Sequence, residues 1–344
     1  MERPVTMQQI ADKAGVSRMT VSRVLRNEPY VTEATARRVR IWAESLGYCP
    51  DPMIQRLTSH LARSQRRNKG QVIAWINSHK DHKPWHGQIP FVSTFRGAEA
   101  QAKKLGFKLE EFWLGELGMT GKKLSRILYQ RGIECLILAP TPKGAGHLTM
   151  DWGKFSSVAI GYAMVFPKLH RVGGHYLHAA REAIRHLYRR GHRRIGLCMA
   201  RDANLRLDHS WLEALAYYQL RTPKRNWIKP LIQTKESAQE MLGWIARERP
   251  DSILSHYEWL PEILRDAHYR IPEDLAVALF NVENAPPGTA GIDQRNHFIG
   301  ETACDLVVGQ HYRNEKGIPA LPYTIMIEGC WVDGQTVARK SLKA

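Results

Sequence analysis

Near the amino end, the stretch "VTMQQIADKAGVSRMTVSRVL", residues 5–25, gathers Arg18, Met19 and Arg23 with the hydroxyls of Thr6, Ser17, Thr20 and Ser22. A guanidinium on a flexible stem can donate two N–H bonds to the O6 and N7 edge of a guanine. Hydroxyls beside unpaired backbone N–H groups can hold phosphate oxygens without reading sequence. The chemistry on offer is recognition of a polyanion rather than bond making. No Ser, His and Asp arrangement and no pair of carboxylates with supporting context stands out, so an enzyme is the weaker expectation. "PKGAGH" at 142–147 is too short a glycine pattern to cradle a phosphate.

Such side chains need rigid elements to aim them. Thr6 followed by Gln9 has the form of a capping box, which starts a helix that turns Ile10, Ala11 and Ala14 inward and stops at Gly15. Ser17 caps a second helix whose Val21, Val24 and Leu25 recur at three- and four-residue spacing, leaving Arg18, Met19, Ser22 and Arg23 outside. A third helix follows Thr32, with Ala36, Val39, Ala43 and Leu46 as its stripe. Two helices about a tight glycine turn, the second carrying Arg and small hydroxyls, fit a helix-turn-helix with its second helix in the major groove. A small helical packing module with a solvated face is the alternative that pattern alone leaves open.

The whole chain agrees with a polyanionic partner. Its 344 residues hold 50 Lys and Arg against 33 Asp and Glu, a net charge of +17. That excess favours nucleic acid or an anionic surface. Residues 1–69 alone hold 13 Lys and Arg and 6 Asp and Glu, and "RLTSHLARSQRRNK", residues 56–69, has five positive charges and no acid. Arg63, Arg66, Arg67 and Lys69 read equally as DNA contacts or as a solvated linker. No apolar run approaches the ~18 residues that span a bilayer, and no signal peptide is evident, so a cytoplasmic protein with no membrane partner is expected. The five cysteines, Cys49, Cys135, Cys198, Cys304 and Cys330, are scattered without a C-x-x-C pair and read as reduced packing residues.

Residues 4–50 resemble the DNA-binding headpiece of the LacI/GalR family of transcriptional repressors, with its V-T-x-x-x-[IV]-A-x-x-A-G-V-S-x-x-T-V-S-R-V-L-N run and closing G-Y-x-P. The resemblance implies that Arg18 and Met19 choose operator bases and that Arg23 contacts a guanine. It implies phosphate contacts from Thr6, Ser17, Thr20 and Ser22, and places Tyr30 against the duplex near the operator centre. Asn27 matches a contact position, shifted by Arg26 from the usual order. Beyond Pro50 the family has a hinge helix that pushes a leucine into the minor groove, and Leu57 matches that lever. The connector here is several residues longer than usual and carries Pro52 and Ile54.

From residue 71 the chain alternates short apolar runs with helical stretches, as doubly wound α/β folds do. "QVIAWIN", "FKLEEFW", "IECLILAP" and "SSVAIGY" read as strands of a first sheet; "IGLCM", "DSILSHY" and "DLAVALFN" read as strands of a second. Two lobes then face a cleft at the carboxyl ends of their strands. "HLYRRGHRRIGL", "IPEDLAVALFN" and "GIDQ" are similar to family landmarks in a core of the periplasmic sugar-binding type. The expected architecture is an N-terminal three-helix helix-turn-helix domain followed by a two-lobed, periplasmic-binding-protein-like (type I) α/β core with parallel sheets. The headpiece covers 1–49 and the hinge 50–70. The core covers 71–344, with one subdomain of about 71–191 plus 292–323 and another of about 192–291 plus 324–344, and crossovers near 192, 291 and 323.

The pocket departs from the family more than the headpiece does. Asn281 stands where an Asp usually holds ligand hydroxyls, His178 where another Asp is common, and Arg206 is the nearest candidate for the usual pocket Arg. Gln294 is retained, Tyr257 replaces an Asn-Asp or Ser-Asp pair, and His79, His82, Trp85 and His86 crowd the loop after the first core strand. Trp85, His178, Arg206, Tyr257, Asn281 and Gln294 are the candidate effector residues. With carboxylate acceptors lost, a simple sugar is not assumed, and a carbohydrate or a derivative remains the expected class. The three loop histidines read as polar loop residues, and no metal or cofactor is expected. The expectation is a homodimeric bacterial regulator, a repressor, that binds a pseudo-palindromic double-stranded operator and is tuned by a small effector. The alternative is a ligand-sensing module without operator-specific DNA binding.

Overall fold

The computed structural model describes residues 5–25, 31–48, 71–79, 89–141 and 146–338. Its amino-terminal unit holds helices α1 (Met7–Ala14), α2 (Arg18–Leu25) and α3 (Glu33–Ser45). The capping box is present: the Thr6 backbone N–H donates to Gln9 Oε1 at 2.8 Å, and the Gln9 N–H donates to Thr6 Oγ1 at 3.4 Å. Gly15 ends α1 at φ +62, a left-handed position that costs glycine nothing. Ser17 Oγ accepts from the Thr20 N–H at 3.1 Å and so caps α2 as expected. Thr32 precedes α3 but makes no such cap; its hydroxyl donates to Thr35 Oγ1 at 3.0 Å. Ile10, Ala11, Ala14, Val21, Val24, Ala36, Val39 and Ala43 close a core between the three helices.

The body holds two six-stranded sheets. The first contains β1 (Gln71–Asn77), β2 (Phe107–Trp113), β3 (Cys135–Leu138), β5 (Ser156–Ile160), β7 (His170–Gly174) and β13 (Thr324–Ile327), in the order β13-β7-β5-β3-β1-β2. Helices α4 (Ile89–Lys104) and α5 (Gly121–Gln130) connect its early strands. A two-stranded ribbon of β4 (Gly146–His147) and β6 (Met164–Phe166) lies apart. The second sheet contains β8 (Ile195–Ala200), β9 (Leu231–Gln233), β10 (Ser252–Ser255), β11 (Ala276–Leu279), β12 (Ala290–Asp293) and β14 (Cys330–Val332), in the order β14-β12-β11-β10-β8-β9. Pairing is parallel except at β14, which runs against β12 with Ile292 opposite Trp331. Helices α6 (Tyr176–Arg189), α7 (Arg201–Arg206), α8 (Ser210–Leu220), α9 (Ala238–Glu248) and α10 (Leu260–Asp266) belong to this lobe, and α11 (Asn296–Tyr312) returns to the first.

The subdomain boundaries differ from the sequence reading. The apolar face of α6, Ala179, Ala180, Ala183, Ile184 and Leu187, shares a core with Leu197, Ala278 and Ile292 of the second sheet. The chain therefore leaves the first lobe at 174–176 rather than near 192. Strand β12 ends at Asp293 within the second sheet, so the return lies at 293–296. Strand β13, expected in the second subdomain, pairs in parallel with β7, Ile325 opposite Val172, so the last crossing lies at 327–330 rather than near 323.

Helices α4 and α11 meet at van der Waals range because each offers a glycine to the other's backbone. A Cβ on Gly300 would lie 1.9 Å from the Thr94 carbonyl oxygen, and one on Gly97 would lie 2.0 Å from that of His297. Cys135, Cys198 and Cys304 are buried, and burial pushes the Cys198 thiol up to about 12, so these cysteines pack rather than react. No helix among the described residues is long and apolar enough to cross a membrane.

Candidate functional site

Two surfaces answer the sequence expectations. The first is the outer face of α2. Eight residues make a rod about 12 Å long, close to the width of a DNA major groove. Val21 and Val24 are buried and hold the rod by one side; Arg18 and Met19 stand exposed on the other, Met19 at 62 %. Thr20, Ser22 and Arg23 are half-buried, and Thr6 and Ser17 are exposed at the starts of α1 and α2. The Ser17 and Thr20 hydroxyls lie 2.9 Å apart. That places two oxygens together at the start of α2, where backbone N–H groups also point outward. Asn27, Tyr30 and Leu57 lie outside the described residues.

The second surface is a cavity of about 590 Å³ between the lobes, in the range that holds a small organic ligand. Residues following the carboxyl ends of strands converge on it: Gly161 and Tyr162 after β5, Arg201 after β8, His256 and Tyr257 after β10, Phe280 and Asn281 after β11. Parallel strands end on one side, so their following loops gather at one place. Phe91 and Thr94 from α4 and Ile299 from α11 form the facing wall, which the glycine crossing of those two helices sets.

Arg206, Tyr257, Asn281 and Gln294 all line this cavity. Gln294 sits in the crossing 293–296, where its Nε2 donates to the Phe280 carbonyl at 2.8 Å. That bond fixes the amide and turns it into a brace for the floor. Asn281 accepts from the Glu283 N–H through Oδ1 at 3.4 Å, while its Nδ2 is buried without a protein partner. The Tyr257 hydroxyl is buried likewise, and its ring stacks on Trp259 at 4.8 Å between centroids. Burial, with Cys198 next, holds the Tyr257 phenol far above its usual range, so it is a neutral donor. Arg206 is lowered by burial, opposed by Asp202, but a guanidinium keeps its charge.

His178 does not reach the cavity. It lies on the first turn of α6, with its ring stacked on His175 at 5.3 Å between centroids and 25° between planes. The family resemblance points it into the pocket, but the crossing at 174–176 turns it to the side of the joint instead. Trp85, with His82 and His86, lies outside the described residues. His79 is described and buried; its ring meets Phe91 edge-on, and burial lowers its pKa.

Several lining residues escaped the sequence reading. His256 is pushed down to about 4, mainly by burial and then by Arg206, and is therefore neutral near pH 7. Phe280 forms the floor, with Trp211 stacked beneath it at 3.8 Å and 9°. Gln233 donates to the Ser237 carbonyl and to Glu240 Oε2, both at 2.9 Å, and leaves its Oε1 buried without a protein partner. Tyr162 and Tyr176 meet edge-on at 5.9 Å across the first crossing. The signal for these was only their place after apolar runs. The arrangement offers aromatic walls, a half-buried guanidinium and, among the lining residues, buried polar atoms of both kinds without a protein partner. An unmade hydrogen bond at such a buried group costs on the order of 1–3 kcal/mol.

Comparison with known proteins follows the same division. A family described as bacterial regulatory proteins, lacI family, matches residues 6–51, and a periplasmic binding protein-like domain matches residues 184–337. The NTD biosynthesis operon regulator NtdR of Bacillus subtilis is 27 % identical over 292 residues, covering 80 % of this chain and 82 % of that protein. The HTH-type transcriptional repressor CytR of Escherichia coli is 28 % identical over 332 residues, covering 90 % of this chain and 92 % of its own. Among solved structures, the lac repressor dimer bound to operator and the anti-inducer ONPF superposes with a TM-score of 0.55 at 18 % identity, covering 98 % of this chain and 100 % of that one.

Proposed function

The chain belongs to the lacI family of bacterial regulatory proteins, and from that premise we propose that it is a transcriptional repressor whose operator affinity is set by a small ligand in the interlobe cavity. The observation that carries this reading is the division of α2: Val21 and Val24 anchor it inside the headpiece core while Arg18 and Met19 face outward. As the second helix of a helix-turn-helix, held by one side and charged on the other, α2 can present that outer face to groove edges. Thr6, Ser17, Thr20 and Ser22 fix its register on phosphates, and Arg23 adds a guanine contact. Asn27, Tyr30 and Leu57 extend the contact toward the operator centre.

Two headpieces in a homodimer match two half-sites of a pseudo-palindrome. The protein works in the bacterial cytoplasm, on DNA, and makes no covalent chemistry of its own. The effector is a neutral, ring-shaped polar molecule, a carbohydrate or a derivative, that stacks on Phe280 and Tyr162. It lies against Arg206, Tyr257 and Asn281, which line the cavity. Closure of the lobes about it moves the segments that lead to the two headpieces and so changes their spacing.

A gel-shift titration tests the reading. Duplexes enriched by the protein from a random pool should bind at least about a thousandfold more tightly than random DNA at the same salt, the lower end of the span for specific against non-specific binding. Equal binding to selected and random duplexes would refute it and favour a ligand sensor without operator specificity.

A further inference from the structure

The joint between the lobes carries a cluster the cavity does not use. His175, His178 and Glu328 each offer one ligand atom, and these atoms all lie within 4.8 Å of one another. His175 Nδ1 stands 3.9 Å from Glu328 Oε1, and the two imidazoles stack at 5.3 Å. We propose that His175, His178 and Glu328 bind one divalent transition-metal ion, which clamps two of the crossings between the lobes.

Topology makes the placement informative. His175 lies between the last residue of β7 and the first of α6, on the crossing at 174–176. Glu328 follows β13 on the crossing at 327–330. The two crossings already run side by side, since the His175 N–H donates to the Ile327 carbonyl at 2.8 Å. His178 is one turn into α6, whose core is that of the second lobe, while Glu328 extends a strand of the first sheet. An ion held by all three therefore ties one lobe to the other across the joint. Tyr176, the next residue after His175, lines the ligand cavity.

Two imidazoles with one carboxylate suit zinc and its neighbours among first-row metals rather than calcium or magnesium, which ask for more oxygens. The donor atoms stand farther apart than they would around a bound ion, and the exposed Glu328 side chain, 67 % accessible, has the freedom to close the gap. A fourth position would be filled by water, as in open three-ligand sites. Lobe closure requires these short crossings to flex, so an ion across two of them resists it.

The binding arm of the test needs no DNA and no effector, so its failure leaves the regulator reading untouched. Untagged full-length protein, stripped with a chelator, is titrated with Zn²⁺ by calorimetry and with Co²⁺ by visible absorption. One ion per chain is expected. His178→Gln and Glu328→Gln should each weaken binding roughly tenfold or more, whereas a His82→Gln/His86→Gln variant should bind as the parent does. Glu328 is exposed and His178 half-buried, and unchanged unfolding midpoints without metal will show that the variants fold. Hydrogen exchange at the amides of residues 174–178 and 328–330 should slow when the ion binds. No saturable binding up to about 1 mM, or binding indifferent to His178→Gln and Glu328→Gln, would overturn the site. Binding that leaves those amides exchanging as before would overturn the clamp.

Discussion

Replacing Gly300 by alanine tests the packing that shapes the cavity wall. Helix propensity favours the change by about 0.5–1 kcal/mol, since glycine inside a helix loses more backbone freedom than alanine does. The structure opposes it. The new Cβ would sit 1.9 Å from the Thr94 carbonyl oxygen and 2.7 Å from the Ala98 nitrogen, both backbone atoms of α4 that cannot swing aside. Restoring an ordinary contact requires α4 and α11 to part by more than about 1 Å, which disturbs close packing along their length and costs about 1–3 kcal/mol as overpacking. Overpacking outweighs propensity, and the expected net loss is on the order of 1 kcal/mol. A Cβ on Gly243, inside α9, would meet nothing within 4 Å, so Gly243→Ala should stabilise by about 0.5–1 kcal/mol. Denaturant unfolding of the two variants beside the parent gives both signs in one experiment, read from midpoints at constant slope. A Gly300→Ala protein as stable as Gly243→Ala would refute the reasoning, because the helices would then have room that the backbone contacts deny.

Other expectations follow from single side chains. Arg23→Ala should lose about 1–3 kcal/mol of discrimination at one base position per half-site, read by binding-site selection; an unchanged preference would remove Arg23 from the base-reading set. Ser17→Ala should cost the headpiece about 1 kcal/mol through loss of the cap on the Thr20 N–H, measured by thermal unfolding of the full chain, and no change would mean that the cap is idle. Burial lowers the His256 pKa from 6.5 to about 4, so the unfolded chain binds its proton first. The stability this confers is whole above pH 6.5 and fades as pH falls toward 4, by about 3 kcal/mol at most, and a His256→Gln variant should show a flatter acid profile than the parent. Tyr257→Phe removes a buried hydroxyl without a protein partner and should leave the ligand-free protein as stable or up to about 1 kcal/mol more so; a clear loss would show that the hydroxyl has an acceptor.

The headpiece was legible because its signals are local. Thr6 and Gln9 are three residues apart, Gly15 acts on its own φ, and Val21 and Val24 repeat with the helical period, so each bond is decided within one turn. Strands β1, β2, β3 and β5 of the first sheet were legible for a similar reason, as apolar runs bounded by polar turns. Strand β9 has three residues and an edge position, too short to announce itself. Which lobe a segment joins is a matter of partners far away in the chain: β13 pairs with residues some 150 positions earlier, and nothing within "TIMI" says so. The cavity was half legible. Arg206, Tyr257, Asn281 and Gln294 reach it, but His178 is turned aside by the crossing at 174–176, and His256, Phe280 and Gln233 gain their roles only when separate strands end together.

The measurement that bears most directly on the account is selection from a pool of random duplexes with the parent protein and with an Arg18→Ala/Met19→Ala variant. Both side chains are exposed and neither supports the headpiece core, so the variant should fold. The parent should enrich an inverted repeat, and the variant should enrich the same repeat with preference relaxed at matching positions of each half-site. A parent that enriches no sequence, or a variant with an unaltered preference, would contradict the claim that α2 reads base edges.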